Sequence, residues 1–144
     1  MMSAIKACAI LFTGVTVVSS VTAREPSDDQ VKEWQRLYPK LNSKMARMEE
    51  LLNYIERFLG VDSFRKEMLN RSLEFTYLTK QSGKNIPEYL SKEERKKYLL
   101  AIKKSTKLAE SLYTFIDHSK WKEGKKILKD LHKIRKKSHA EWAE

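Results

Sequence analysis

The sequence has few of the residues that interrupt helices or crosslink chains. Its 144 residues include one cysteine, three prolines and four glycines. A single cysteine excludes a disulfide within the chain and a site built from several cysteine ligands. Because glycine and proline punctuate helical runs, their scarcity favours long helices. Apolar residues recur at three- and four-residue spacing and do not alternate with a period of two, so the sequence predicts an all-α fold.

The first 23 residues are expected to form a cleavable secretory signal peptide. A short head carrying Lys6 precedes an apolar stretch over residues 7–21, and the small residues of Val21-Thr22-Ala23 complete the pattern. The stretch contains several Thr, Ser and Gly residues and falls short of the roughly 20 apolar residues that a membrane-spanning helix needs. We therefore predict export, cleavage after Ala23, and no transmembrane anchor. This cleavage would also remove Cys8, the one cysteine of the sequence.

The remaining chain suits one basic domain. Removal of the first 23 of the 144 residues leaves 121, and loss of Lys6 lowers the net charge from +10 to +9. Such a charge favours an anionic membrane surface, an acidic protein or nucleic acid as partner. However, the basic residues are spread over all the predicted helices and are not interleaved with exposed aromatic residues, so nucleic acid is not favoured. Most of them are expected to occupy solvated helix faces.

Four amphipathic helices are predicted after a lead-in segment over residues 24–39. The first helix runs from about residue 40 to residue 59 and stops at Gly60. Its apolar stripe consists of Leu41, Met45, Met48, Leu52, Ile55 and Leu59. The second helix is expected to begin with Asp62 and Ser63 as N-cap residues, and it ends in a polar loop.

The third helix is predicted to open at a capping box formed by Ser91 and Glu94. Its apolar stripe consists of Tyr98, Ile102, Ala109, Leu112 and Ile116. A turn over residues 117–119 separates it from the fourth helix. That helix has Trp121, Leu128, Leu131, Ile134, Ser138 and Trp142 near one face and most of its lysines on the other.

Short connections between four helices predict an antiparallel, up-down-up-down four-helix bundle over residues 40–144. In that topology, the start of the first helix and the end of the fourth lie at the same end, so Met45 and His139 are expected to face each other across the core. A thioether and an imidazole suit the two axial positions of a haem iron, whereas zinc takes four ligands. The sequence has no Cys-x-x-Cys-His motif, so any haem is bound without covalent attachment.

Each proposed ligand has a rival. Met48 lies one helical turn from Met45 on the same stripe, and His132 lies seven positions before His139 on nearly the same face. Met45 is preferred to Met48 because it lies nearer the helix start, and His132 lies about 10 Å deeper along its helix at the α-helical rise. His118 is expected in a turn at the opposite end of the bundle.

Three segments of the sequence resemble the cytochrome b562 family. The first, Leu41-x-x-x-Met45-x-x-Met48-x-x-x-Leu52-x-x-Ile55, is similar to the first helix of the family, in which the Met at position 45 is a haem ligand. The second, Arg135-Lys136-Lys137-Ser138-His139, resembles the closing Arg-x-x-x-His, with the His as the other ligand and the Arg beside the haem. The third runs without a gap over residues 98–135 and places Tyr98 and Ile102 at aromatic pocket positions of the family.

The resemblance implies a soluble electron carrier and not an enzyme. It implies one non-covalently bound haem b per chain, with Met45 and His139 as axial ligands and no open iron position for a substrate. Arg135 is expected to pair with a haem propionate. The remaining expected pocket residues are Leu41, Met48, Tyr98, Ile102, Leu131, Ser138 and Trp142. Together with the signal peptide, the resemblance implies a periplasmic location, and we expect a monomer with an acidic redox partner.

The alternative hypothesis is a haem-free, secreted basic bundle. Such a protein binds a membrane surface, an acidic protein or nucleic acid through the lysines of the fourth helix. A hydrolase has little support, since the sequence shows neither a buried carboxylate pair nor a glycine-rich phosphate loop. The two main hypotheses make different predictions for Met45 and His139. Haem binding requires both residues, whereas binding of an anionic partner requires neither.

Overall fold

The computed structural model describes residues 25–142, without the side chains of His139 and Trp142. The predicted signal peptide lies outside the described residues. Within them the chain is all-helical, with five α-helices, one 3-10 helix and no strand. The α-helices are α1 (Asp28–Leu37), α2 (Leu41–Phe58), α3 (Arg65–Ser82), α4 (Lys92–Asp117) and α5 (Trp121–Trp142). In this described part, no helix combines the length and apolarity needed to cross a bilayer.

Local sequence signals set several of the helix ends. Gly60, just beyond the end of α2, has a φ of 94°, a backbone conformation that glycine adopts without strain. At the start of α4, the Ser91 hydroxyl accepts a bond from the Glu94 amide at 3.2 Å, and the Glu94 carboxylate accepts one from the Ser91 amide at 2.8 Å. Ser119, in the turn between α4 and α5, has a φ of 55°. These predicted ends are confirmed.

The predicted capping of the second helix is wrong. Residues 62–64 form the 3-10 helix, and the N-cap of α3 is Phe64, which makes no side-chain cap bond. Asp62 instead lies 3.6 Å from the Arg65 guanidinium and accepts a hydrogen bond from the Ser119 hydroxyl at 3.5 Å. Its carboxylate therefore links the 3-10 helix to the turn between α4 and α5.

The lead-in segment contains a helix that packs against the rest of the chain. A capping box formed by Ser27 and Gln30 opens α1. Trp34 is only 7% exposed and lies in a small cluster with Leu73 of α3 and Tyr113 of α4. Through this one anchor, α1 is attached to the same body as the longer helices.

The main core lies between the four longer helices. Each of them packs against the next along the chain, and α2 and α5 also contact each other, less extensively. All four contribute fully buried side chains, among them Leu52, Met68, Leu112 and Leu128. Burial of such side chains is the main favourable contribution to folding, so this core is what positions the helix ends.

Replacing Trp34 by alanine is expected to lower the free energy of unfolding by about 2–4 kcal/mol, since the change removes a buried indole and leaves a cavity beneath α1. Leu37→Ala on the same helix is the control: Leu37 is 42% exposed, and we expect a change below about 0.5 kcal/mol. Urea titration followed by circular dichroism measures both. Equal unfolding midpoints for the two variants would contradict a stabilising role of α1.

Candidate functional site

A cavity of about 490 Å³ lies next to the main core. Side chains of α2, α3, α4 and α5 line it, together with the loop before α4. Eight of the ten predicted site residues contribute to its wall: Leu41, Met45, Met48, Tyr98, Ile102, Leu131, Arg135 and Ser138. The side chains of the other two, His139 and Trp142, lie outside the described part of the structure.

The cavity lies where the core-facing apolar stripes of α2 and α5 continue beyond the packed part of the core. On α2, burial decreases from Leu52, which is 2% exposed, to the partly buried Met45 nearer the helix start. On α5, it decreases from Leu131, 3% exposed, to the partly buried Ser138 nearer the helix end. Protein interiors are normally close-packed, and pockets for small molecules measure about 300–1,000 Å³. The space is therefore of the size that a ligand occupies.

Small side chains on α4 create part of this space. Ala101 and Ser105 both line the cavity, one and two helical turns after the larger Tyr98. Neither side chain is long enough to fill the gap between α4 and the facing helices. Sequence reasoning missed both residues, although small residues at inward positions of an apolar stripe are a usable signal for a pocket.

The two candidate methionines have different surroundings. The Ser82 hydroxyl donates to the Leu78 carbonyl at 2.9 Å and lies 3.7 Å from the sulfur of Met48, which is a weak acceptor; Met48 also packs against the main core. Met45 lies one turn nearer the start of α2, and within the described residues its sulfur has no hydrogen-bond donor. Of the two sulfurs, that of Met45 is the less engaged by the protein.

Arg135 brings a positive charge to the cavity wall. Its Nη1 lies 3.4 Å from the Glu49 carboxylate, which joins α5 to α2. Its Nε is buried and has no hydrogen-bond partner among the described residues. A buried donor without an acceptor costs free energy. Because the side chain of Arg135 also lines the cavity, its guanidinium is available to a carboxylate that enters with a ligand.

Tyr98 holds the start of α4 against the end of α3 at the cavity wall. Its hydroxyl donates a 2.8 Å hydrogen bond to the backbone carbonyl of Ser82. Burial raises the pKa of this phenol to about 12. Tyr98 is therefore a neutral, positioned part of the wall at physiological pH.

The histidines with described side chains lie elsewhere. His132 Nε2 is 3.3 Å from the Glu56 carboxylate of α2, outside the cavity lining. His118 Nδ1 lies 2.9 Å from the Thr114 carbonyl at the end of α4. Among the described residues, no group of three or more His, Cys, Asp and Glu side chains is arranged to hold a metal ion.

The position of residue 139 relative to the cavity follows from its place near the end of α5. It follows Ser138 directly and lies four positions after Arg135, and both of these residues line the cavity. Positions four apart on a helix share a face. The backbone of α5 thus carries His139 at the end of the helix that borders the cavity.

Comparisons with known proteins do not assign the site, since no family model, curated protein or solved structure matches the chain. What the cavity binds must be inferred from the chemistry of its own residues.

The pKa of Tyr98 predicts a loss of stability at high pH. In the folded state it is raised from 10.0 to about 12. The corresponding stabilisation is therefore complete below pH 10 and is lost as the pH rises through 12. Over this range we expect the free energy of unfolding to fall by about 1–2 kcal/mol more in the wild type than in Tyr98→Phe.

Urea titrations at a series of alkaline pH values measure this difference. Tyr54→Phe is the control because Tyr54 lies outside the cavity lining and does not contribute to the pKa shift of Tyr98. Parallel pH curves for the wild type and Tyr98→Phe would count against a raised pKa at this site.

Proposed function

We propose that the cavity binds one haem b without covalent attachment and that the protein is an exported, periplasmic one-electron carrier. The observation that carries the proposal is the combination of groups around a single cavity. A methionine sulfur, a largely apolar wall and an arginine with an unpaired buried Nε are brought together there. These groups suit an apolar, iron-containing macrocycle that carries carboxylates.

We further infer that α2, α3, α4 and α5 form an antiparallel, up-down-up-down bundle. The start of α2 and the end of α5 border the same cavity, as this topology requires. Two contacts between these helices support the same direction: Glu49 pairs with Arg135, and the carboxylate of Glu56, later in α2, lies 3.3 Å from the Nε2 of the earlier His132.

Met45 and His139 are the proposed axial ligands. Met45 is preferred to Met48 because Met48 packs against the main core, whereas Met45 lies one turn nearer the start of α2. His139 is preferred to His132 because His132 lies outside the cavity lining. A haem held by a thioether and an imidazole supplies one-electron chemistry and has no iron position for a substrate.

The rest of the wall has supporting roles. Arg135 is placed to pair with a carboxylate of the ligand, since a guanidinium forms strong, directed bonds to such a group. Leu52, Phe75 and Leu131 line the inner side of the cavity. Their apolar side chains exclude water from the site, which favours retention of an apolar cofactor.

The chain beginning at Arg24 is expected to bind haemin one to one and to give a low-spin, six-coordinate absorption spectrum. Met45→Ala and His139→Ala are each expected to convert this spectrum to high spin or to weaken binding at least about tenfold, because each change removes an iron ligand. Spectral titration with haemin measures both properties.

Matched controls replace the rival residues on the same helices. Met48→Ala and His132→Ala are expected to keep the low-spin spectrum. If haemin causes no spectral shift in the wild type, the proposal is wrong. If Met48→Ala gives high spin and Met45→Ala does not, the ligand assignment on α2 is wrong.

Arg135→Gln is expected to weaken haemin binding about tenfold while the spectrum stays low spin, since the arginine contacts a carboxylate and not the iron. Lys136→Gln removes the same charge from the neighbouring, exposed position and is expected to change the affinity little. Equal losses in the two variants would mean that only the overall positive charge matters.

A further inference from the structure

Two neighbouring leucines on the outer side of α4 are exposed. Leu99 is 42% and Leu100 66% exposed. At about 100° per residue, Leu100 lies about 200° around the helix from both Tyr98 and Ile102, which line the cavity. Leu100 therefore belongs to a different surface from the proposed haem site, and Leu99, about 60° around the helix from Ile102, lies at the border between the two surfaces.

Lysines flank the two leucines on both sides. Lys96 and Lys97 lie one turn before them, and Lys103 and Lys104 one turn after. All four lysines are exposed, and the ion pairs formed by the described residues involve none of them. We call the six residues Lys96, Lys97, Leu99, Leu100, Lys103 and Lys104 the α4 face.

We propose that the α4 face docks on a membrane surface that contains anionic phospholipid. Leucine side chains enter the boundary between head groups and acyl chains, while lysine stems lie along this boundary and leave their ammonium groups among the phosphates. Each lysine close to an anionic surface adds to the attraction. An apolar pair between two lysine pairs on one helix face fits this boundary.

Charge argues against a second copy of the chain as the occupant. Two α4 faces in contact would bring four lysines from each chain together, and like charges repel. The net charge of +10 makes the whole chain repel its own copies. An anionic lipid surface is complementary to the same charge.

The lysines of α5 form a different kind of surface. Its exposed lysines are Lys122, Lys125, Lys126, Lys129, Lys133, Lys136 and Lys137. Within the described part of α5, no large apolar side chain is exposed beside them. This surface attracts anions in a salt-dependent manner but has nothing to insert into a bilayer. The α4 face is therefore the proposed insertion site, and it does not depend on bound haem.

The test is co-sedimentation of the chain beginning at Arg24, which lacks the apolar stretch that would itself bind lipid. We expect binding to vesicles of phosphatidylcholine mixed with phosphatidylglycerol, at least about tenfold stronger than to phosphatidylcholine alone. Leu99→Ser with Leu100→Ser is expected to lower this binding about tenfold, since both side chains lose their apolar contact. Lys96→Gln with Lys103→Gln is expected to lower it to a similar degree.

Two control variants match these changes. Leu37→Ser alters a leucine on α1 that is 42% exposed, as Leu99 is. Lys129→Gln with Lys136→Gln removes the same charge from α5. Both variants are expected to bind vesicles more strongly than the corresponding α4 variants do. All altered side chains are exposed, so unchanged circular dichroism should accompany every result.

Insertion of the α4 face into the bilayer can be measured directly by fluorescence quenching. Tryptophan fluorescence in Leu100→Trp is expected to be quenched by brominated acyl chains more than in Leu37→Trp, in the same anionic vesicles. The proposal is overturned if the wild type does not prefer anionic vesicles, as expected when an acidic protein is the true partner. It is equally overturned if the α5 lysine variant loses as much binding as the α4 variants, or if the leucine variant binds like the wild type.

Discussion

The incomplete filling of the core determines the rest of the structure. The inward stripes of α2 and α5 bury Leu52 and Leu131 almost completely, and then continue past the cavity with Met45 and Ser138 only partly buried. The packed part of the core holds the helices in place, so most of the cavity wall consists of helices, to which the loop before α4 adds Pro87 and Tyr89. A site whose groups are held in this way needs little rearrangement on binding.

Ion pairs hold the α2 wall of the cavity from two sides. Arg47 makes two hydrogen bonds to the Glu74 carboxylate of α3, at 2.7 and 3.1 Å, and these bonds raise the pKa of the guanidinium. Glu74 is largely buried, and a buried carboxylate without a partner is strongly destabilising. On the other side, Glu49 pairs with Arg135 of α5. The start of α2, which carries Met45, is thus fixed to both neighbouring helices.

The sequence predicted those features that have a local cause. Gly60 and the Ser91 capping box marked helix ends correctly because each acts within a few residues. The helix α1 was not predicted because its attachment depends on one side chain, Trp34, which gives no periodic pattern. The contribution of Thr79 to the cavity was missed because this residue is polar but fully buried: its hydroxyl bonds to the Phe75 carbonyl of its own helix, and an apolar stripe does not reveal such a residue.

The stretch of α4 from Tyr98 to Ile102 borders two surfaces at once. Tyr98 and Ile102 line the cavity, while Leu99 and Leu100 between them face outward. Helical geometry places Leu100 about 160° from both Tyr98 and Ile102, so a substitution at Leu100 leaves the contacts of the cavity wall in place, whereas Leu99 lies only about 60° from Ile102. The proposed membrane contact through Leu100 and the proposed ligand site therefore use opposite sides of α4. The two roles are compatible, and each is tested without disturbing the other.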